Sequence, residues 1–581
     1  MKAGPFTRAL SYFPAVRKRW LKGMLCIIPT SGLEFVLPLI VAHVVDGVRD
    51  GTMHTAGVIG WMVAAMGITL VKGAGKFGMR WYITGASREF ERNYRQDYFQ
   101  HLMQLAPRDI SRLRTGDLMS RSIADVEAVR MMLGPGLMYV SQAAIVVPSA
   151  LVIMATIDPT LTLVMLIPFI GLAAIIRVVA RPTQHWSQAT QERIAELSVV
   201  AQENFSGVRV VKAFATEAVS ASIFRRMGRS LLEANMRLAT IRGVSSAAIT
   251  SIKDFGALII LLVGGWHVVQ GVLSVGDLLL FFMILNLALW PLIAIGWMIG
   301  MYHRAKAGAR RLDEVFDLIP SVQQPETPVQ HDTFRGEIEA RHLSFSWDEA
   351  PTIQDITFKV PPGGTLGITG RTGCGKSTLV QLLARLVDPP PGTVFVDGHD
   401  IRDLPLDQLR EHVGVIPQDT FLFSETVAQN IAFAGEHIDA ERVREVADLA
   451  KVHDDIMGFR NGYDELLGER GVTLSGGQRQ RTAIARGLAA DPPVIILDDC
   501  LSAVDSVTEQ AILRTLRETL AGRTAIIVSH RVSALSLADE VLVMDEGCVV
   551  ERGTHDNLVQ RGGLYASLAE RQRLEAEIEA L

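Results

Sequence analysis

Six apolar stretches in the first half of the chain constrain its fold more than any other feature. They lie near Leu21 to Val48, Ala56 to Val71, Leu133 to Ile157, Leu161 to Val179, Ala247 to Val269 and Val275 to Met298. Each is close to the roughly 20 residues that an α-helix needs to cross a bilayer. The chain has 581 residues, of which 49% are hydrophobic. The sequence therefore predicts a six-helix transmembrane domain over residues 1–318.

The basic residues predict how this domain is oriented. The short connections RDGTMHTAG, DPT and QGVLS carry almost no Lys or Arg, whereas the two long polar segments and the RKRW stretch (Arg17–Trp20) are rich in them. The positive-inside rule then puts both termini in the cytoplasm. We expect a multi-pass protein of the cell (inner) membrane, in contact with membrane lipid.

Charge and cysteine usage exclude other classes of site. The 57 basic and 62 acidic residues give a net charge of -5, so no basic excess predicts nucleic-acid binding. The cysteines Cys26, Cys374, Cys500 and Cys548 lie far apart and in no metal-ligand spacing. Neither a disulfide framework nor a zinc site is predicted.

The second half has a different character. A proline-containing polar linker is expected over residues 319–335. Residues 336–570 alternate strand-like and helix-like runs, which predicts an α/β domain with a largely parallel sheet. Residues 571–581 are expected to form a helical tail.

A phosphate-binding loop is predicted within this α/β domain. In LGITGRTGCGKSTLVQLLARL, an apolar strand leads into Gly370-x-x-x-x-Gly375-Lys376-Ser377 and then into an apolar helix. Lys376 is expected to reach the β and γ phosphates of ATP, and the Ser377 hydroxyl to bind Mg²⁺. Backbone amides of the loop would hold the phosphates. The predicted nucleotide-binding residues here are Gly370, Arg371, Thr372, Gly373, Cys374, Gly375, Lys376, Ser377 and Thr378.

Two adjacent carboxylates follow a second apolar strand, in VIILDDCLSAVD (Val494 to Asp505). Asp498 at the strand end fits the Mg²⁺ contact of P-loop nucleoside triphosphatases. Asp499 stands where a base that polarises the attacking water is needed.

LSGGQRQR (Leu474 to Arg481) resembles the signature of ATP-binding cassette (ABC) proteins, and the whole chain resembles a multidrug-type ABC exporter half-transporter. The implied architecture is a membrane all-α domain fused to a P-loop α/β nucleotide-binding domain, the type IV exporter fold. Other stretches match family motifs in order. They are Trp347 for the adenine-stacking aromatic, Gln418 for the Q-loop, GERG (Gly468 to Gly471) before the signature, Asp505 for the D-loop and His530 for the switch histidine.

The resemblance implies roles for these residues. Ser475, Gly476, Gly477 and Gln478 would grip the γ-phosphate bound by a second half-transporter, so a dimer is implied. His530 would hold the attacking water, and Gln418 would contact Mg²⁺ and couple the nucleotide to the membrane domain. TGDLMSR (Thr115 to Arg121) and SGVRVVKAFATE (Ser206 to Glu217) resemble the two coupling loops.

Asp499 departs from the family pattern, in which efficient ATPases carry Glu after Asp498. The shorter side chain resembles that of the degenerate-site subunit of heterodimeric ABC exporters. A heterodimer exporting an amphipathic substrate is the preferred interpretation. Intact His530 and P-loop residues leave a homodimer, or a lipid flippase, as the alternative. A siderophore-type importer also remains open.

Charges within the membrane spans suggest a substrate cavity. Lys72, Lys76 and Arg80 share one helix face. Arg80 and Lys76 are expected to extend to the cytoplasmic surface. Lys72 is the predicted cavity residue, together with Glu34 and the Lys253/Asp254 pair.

Overall fold

The computed structural model describes residues 6–329, 333–347, 350–435, 437–468 and 471–579. It divides into two compact units. The first extends to Met103 and resumes over Leu113–Leu318, whereas the second contains Gln104–Arg112 and the chain from Ile319 onward.

The first unit is helical throughout its regular structure. Its helices are α1 (Thr7–Ser11), α2 (Phe13–Arg49), α3 (Thr55–Gln104), α5 (Thr115–Ser120), α6 (Val126–Met131), α7 (Leu137–Ile157), α8 (Pro159–Ser206), α9 (Val208–Ala213), α10 (Glu217–Ile259), α11 (Gly265–Val269) and α12 (Val275–Phe316). Short π-helical turns at Arg121–Asp125 and Met132–Gly136 join α5, α6 and α7, and a third at Ile260–Gly264 joins α10 to α11. In the described residues, six continuous helical segments are long and apolar enough to cross a membrane. The predicted number of spans is confirmed.

Capping residues explain why the spans turn where they do. Asp158 is the single residue between α7 and α8, and its Oδ1 accepts hydrogen bonds from the amides of Thr160 (2.9 Å) and Leu161 (3.1 Å). Ser274 and Asp277 form a reciprocal capping box at the start of α12. Both caps provide acceptors for amides that a helix start would otherwise leave unpaired.

Helices α2 and α3 form a close antiparallel pair. At Gly75, an added Cβ would collide with the Thr30 methyl, and at Gly23 it would collide with Ile83. Farther along, Lys76 forms an ion pair with Glu34, whose side chain is 8% exposed (Nζ–Oε1, 2.5 Å). Lys76 is therefore held by a buried carboxylate on the neighbouring helix, and its expected extension to the cytoplasmic surface stays a prediction.

The described part of the second unit contains ten strands in two sheets. They are β1 (Ile338–Ser346), β2 (Pro351–Val360), β3 (Thr365–Gly370), β4 (Val394–Val396), β5 (His399–Asp400), β6 (Val413–Ile416), β7 (Val494–Asp498), β8 (Thr524–Val528), β9 (Glu540–Asp545) and β10 (Cys548–Gly553). The smaller sheet has the order β2-β1-β4-β5. The larger has the order β10-β9-β3-β8-β7-β6 and is parallel except at its β10–β9 edge. The predicted α/β fold is confirmed.

Helices cover and extend these sheets. They are α4 (Pro107–Ser111), α13 (Lys376–Leu383), α14 (Leu406–His412), α15 (Val427–Ile431), α16 (Ala440–Leu449), α17 (His453–Met457), α18 (Gly476–Ala489), α19 (Ser506–Thr519), α20 (Val532–Leu535), α21 (His555–Arg561) and α22 (Leu564–Glu579), with 3₁₀ turns at Ala432–Ala434 and Gly462–Asp464. Strands β3, β7 and β8 are almost entirely buried, as is usual for central parallel strands.

A buried arginine fixes the linker to the second unit. The Arg385 side chain is 2% exposed and pairs with Asp388 (2.9 Å). Its guanidinium also donates to the carbonyls of Ile401 (3.0 Å), Leu404 (2.9 Å) and Gln323 (2.9 Å). Gln323 belongs to the predicted linker, so the hydrogen bonds of Arg385 hold that segment against the domain.

We predict that Arg385→Met destabilises this unit, because one carboxylate and three carbonyls lose a charged donor inside the protein. The expected cost is about 3 kcal/mol, or roughly 6 to 12 °C in melting temperature. Differential scanning fluorimetry on the full chain measures it, with Arg410→Met at an exposed position of α14 as the control. Equal melting temperatures for the two variants would contradict the structural role of Arg385.

Candidate nucleotide site

The loop after β3 has a backbone that glycine favours. Gly370, Gly373 and Gly375 have φ angles of +148°, +87° and +99°. An added Cβ at Gly370 would collide with the Met544 carbonyl, and at Gly375 it would lie 2.8 Å from the Thr352 carbonyl. The loop therefore lies directly against its neighbours, and Gly375 caps the start of α13. Such a turn at a helix N-terminus is suited to holding an anion.

The predicted phosphate-binding side chains surround this loop. Lys376 Nζ donates to the carbonyls of Gly370 (2.9 Å) and Arg371 (3.0 Å), and it lies 3.7 Å from Cys374 Sγ. Ser377 and Thr372 are exposed, whereas Thr378 is buried and accepts a hydrogen bond from Trp347 Nε1 (3.0 Å). The Lys376 ammonium thus has only neutral partners in the loop.

The carboxylates of Asp498 and Asp499, at the end of β7, lie at the same edge of the sheet as this loop, because β3, β8 and β7 are parallel. Asp499 has a φ of +43°, and its amide donates to the Val528 carbonyl (2.8 Å). Its Oδ2 accepts a hydrogen bond from Gln418 Nε2 at 3.3 Å. The structure therefore brings Gln418 and Asp499 together across 81 residues of sequence.

Electrostatic effects connect Lys376, Asp498, Asp499 and His530. Burial raises the pKa of Asp498, the neighbouring Asp499 carboxylate raises it further, and Lys376 lowers it. Burial also lowers the pKa of His530, as does the positive charge of Lys376, while Asp499 raises it. These four side chains are close enough to influence each other's protonation.

The signature residues lie at the start of α18. Ser475 and Gln478 form a capping box, with Ser475 N to Gln478 Oε1 at 3.0 Å and Gln478 N to Ser475 Oγ at 3.2 Å. Gly476 and Gly477 are the first two residues of the helix. Within the described ranges, no recorded hydrogen bond or ion pair joins these four residues to the phosphate loop. Of the GERG segment, Glu469 and Arg470 lie outside the described residues.

The chain matches known families along most of its length. Residues 20–292 match the family described as ABC transporter transmembrane region, and residues 353–502 match the family described as ABC transporter. Multidrug resistance-like ATP-binding protein MdlA of Escherichia coli (strain K12) is 35% identical over 577 residues, which cover 99% of this chain and 98% of that protein. This chain is an ABC transporter with fused membrane and ATP-binding domains.

Other comparisons agree. The probable multidrug resistance ABC transporter ATP-binding/permease protein YheI of Bacillus subtilis (strain 168) is 32% identical, with 97% of each chain covered. A solved bacterial Atm1-family ABC exporter with ATP bound has a TM-score of 0.76 and 26% identity, covering 96% of this chain and 98% of that one. The predicted exporter fold is confirmed, and the chain is an ATPase coupled to transport.

Several residues that hold the ABC motifs in place were not predicted. Gln572 in α22 donates to the His530 carbonyl (Nε2–O, 2.5 Å) and accepts from the Val532 amide (2.8 Å). Two side-chain bonds therefore fix the backbone on both sides of Arg531. A glutamine in a polar helix gives no sequence signal for this role.

Arg531 and Gln480 hold the D-loop. The Arg531 guanidinium donates to the carbonyls of Ser502 (3.2 Å) and Val504 (3.1 Å) and pairs with Glu509. Gln480 bonds Ser502 Oγ (2.9 Å) and the Ala503 amide (2.8 Å). Asp505 itself caps α19 by accepting from the Thr508 amide (2.9 Å). Arg531 directly follows the predicted His530, and Gln480 lies within the signature stretch Leu474 to Arg481, so proximity to motifs was the available signal.

Trp347 contacts a segment that was also missed. The Arg108 guanidinium lies over the indole ring (4.9 Å to the centroid), and its Nη2 donates to the Trp347 carbonyl (3.1 Å). Arg108 belongs to α4, which precedes the predicted coupling stretch Thr115–Arg121 and is part of the ATP-binding unit. The stretch Thr115–Ser120 forms α5 of the membrane unit, and its assignment as a coupling loop stays a prediction.

We predict opposite shifts in the pKa of His530 for two variants without nucleotide. Lys376→Met removes a cation and should raise that pKa, whereas Asp499→Asn removes an anion and should lower it further. Hydrogen–deuterium exchange at the histidine C2 position, followed by mass spectrometry, measures the pKa in the full chain. Shifts of the same sign would contradict this electrostatic arrangement.

Proposed function

We propose that this chain is one half of a heterodimeric exporter of amphipathic small molecules, drugs or lipids, and that its own nucleotide motifs form the slower of two ATP sites. The observation that carries the proposal is Asp499, which follows Asp498 where efficient family members have Glu. The names of MdlA and YheI refer to multidrug resistance, and we extend that substrate class to this transporter.

The proposed slow turnover follows from the reach of Asp499. Aspartate and glutamate have similar acidity, so the basic group is retained while the side chain loses one methylene. The hydrogen bond to Gln418 Nε2 further engages its carboxylate. A misplacement of about 1 Å can reduce the rate on the order of a hundredfold. ATP binding depends on the loop glycines and Lys376, which this chain retains.

Magnesium fits the donors of this site. Ser377 is exposed beside the phosphate loop, and Asp498 is half-buried at the end of β7. Mg²⁺ prefers one or two protein oxygen ligands completed by substrate phosphates and water. Ser377, Asp498 and Gln418 would hold the ion, which neutralises phosphate charge when bound. His530, with its lowered pKa, would accept a hydrogen bond from the attacking water in its neutral form.

The intact signature has a separate role in this proposal. Ser475 to Gln478 would complete the ATP site of the second subunit, where most turnover takes place. The free amides at the start of α18 suit a γ-phosphate. We further propose that both termini and the ATP-binding domain lie in the cytoplasm and that the membrane is the cell (inner) membrane, because basic residues concentrate in the long connecting segments.

We predict that Lys376→Ala weakens Mg-ATP binding to this chain, because a charge-assisted contact with phosphate oxygens is lost. Equilibrium binding of a fluorescent ATP analogue measures the effect. Lys359→Ala, at an exposed position of β2, is the control and should bind normally. Equal affinities for wild-type and Lys376→Ala would rule out the assigned phosphate contact.

A second prediction separates the heterodimer from the homodimer. In the assembled pair, Asp499→Asn should reduce ATPase activity only slightly, whereas Gly477→Asp should abolish most of it by placing a carboxylate against the γ-phosphate. Gly477→Ala controls for crowding, since a Cβ there would lie 3.2 Å from the Ala503 carbonyl. Asp499→Glu should raise turnover if reach limits the rate.

A homodimer gives a different pattern, because each substitution then reaches both sites. Both Asp499→Asn and Gly477→Asp would be severely defective. The heterodimer proposal fails if the chain purified alone hydrolyses ATP rapidly, with stimulation by substrate, and Asp499→Asn removes that activity.

A further inference from the structure

The membrane part of α3 carries cations without acids. Lys72, Lys76 and Arg80 are spaced four residues apart, so they lie along one side of the helix. Between Thr55 and Arg88 the sequence has no Asp or Glu. Any compensation for these three charges must come from another helix, another subunit or a bound anion.

The packing of α2 against α3 sets the depth of Lys72. Gly75 faces Thr30 and Gly23 faces Ile83, so the two helices run antiparallel in a known register. Lys72 is therefore level with Leu33. This position lies within the apolar stretch from Leu21 to Val48 of α2 and directly follows the apolar stretch of α3, Ala56 to Val71, which puts Lys72 inside the bilayer on the side of the C-terminal end of α3.

Only one of the three cations has an acidic partner in the described residues. Glu34 pairs with Lys76 at 2.5 Å, which neutralises both groups. Lys72 is half-buried and Arg80 is exposed, and neither has a recorded ion pair within the described ranges. Lys253 and Asp254, which were predicted as a pair, are exposed and likewise have no recorded ion pair within the described ranges. They do not pair with each other because adjacent residues in a helix do not face each other. The face of α3 thus has a surplus of two positive charges.

The surface beside Lys72 is open. At Gly73 and at Gly32, a Cβ would have no heavy atom within 4 Å. The most apolar window of α3 is 0% buried within the described subunit. A lysine inside the bilayer does not face lipid tails stably, so this opening must adjoin a polar group or water.

We propose that Lys72, beside the Glu34–Lys76 pair, binds the anionic head group of a transported amphiphile. Charge complementarity identifies the occupant: the free cation attracts a carboxylate, sulfate or phosphate, while Glu34 is already neutralised and offers no free site for a cation. The site binds a single negative group, because the charge of the second lysine, Lys76, is already compensated by Glu34. This inference rests on the proposed export of amphipathic molecules and specifies their charge.

Direct binding tests this inference without ATP hydrolysis. Dimeric transporter in phosphatidylcholine nanodiscs is titrated with two fluorescent probes of identical tail, lysophosphatidylglycerol and lysophosphatidylcholine. We expect about a tenfold preference for the anionic probe, which is lost in Lys72→Gln and retained in Lys72→Arg, as follows from one charge-assisted hydrogen bond. Lys306→Gln, at an exposed position on the last span helix, is the matched control and should retain the preference.

Glu34→Gln gives a test of opposite sign. It frees Lys76 from its ion pair, so the preference for the anionic probe should increase. A misfolded variant does not gain selective affinity, and this result therefore separates binding from a structural defect.

Three results would overturn the inference. The first is an anionic preference that is absent, and the second is one that survives Lys72→Gln. The third is loss of the dimer in Lys72→Gln on size-exclusion chromatography, which assigns the lysine to an acid of the second subunit. Failure of the proposed export function looks different, since selective binding would then persist without ATP-driven movement of either probe in proteoliposomes.

Discussion

The nucleotide site depends on a turn in which the backbone has no space for side chains. At Gly370 the chain lies against the Met544 carbonyl at the end of β9, and at Gly375 it lies against Thr352 at the start of β2. These contacts fix where α13 begins and therefore where Lys376 and Ser377 stand relative to β7. Because β3 and β7 both pair with β8, the carboxylates at the end of β7 lie on the same edge as the loop. The charges then act on each other within a partly buried site.

Local patterns predicted the elements but not the side chains that connect them. The six spans and the loop after β3 follow from apolar length and from glycine spacing, which are properties of short segments. The contacts of Gln572 with His530 and of Arg108 with Trp347 join residues 42 and 239 positions apart. Both use long polar side chains that are common on solvated helices. The ion pair of Lys76 was not predicted for a related reason, since Glu34 lies on another helix.

In the proposed arrangement, the signature and the phosphate loop of one chain belong to two different ATP sites. Ser475 and Gln478 satisfy each other at the start of α18, so this helix end is ordered without a nucleotide. ABC exporters work as dimers, and a second subunit supplies what each half-site lacks. In such an arrangement, a change in the catalytic base and a change in the signature affect different ATP sites. In the proposed heterodimer, a shortened base at Asp499 would alter turnover at one site while the signature acts at the other, so the pair would tolerate the first change while preserving the second.

The membrane unit likewise contains one lysine whose charge is compensated within the described residues and one whose charge is not. A lysine at the centre of a membrane helix costs about 2.5 to 3.5 kcal/mol on insertion scales, a large fraction of the 5 to 15 kcal/mol that typically stabilises a domain. The Glu34–Lys76 pair reduces that cost for one lysine by mutual neutralisation. Lys72, one turn away, has no such partner in the described residues. Two lysines with the same chemistry therefore have different roles: the paired one stabilises the α2–α3 contact, and the unpaired one retains a charge that a mobile anion can satisfy.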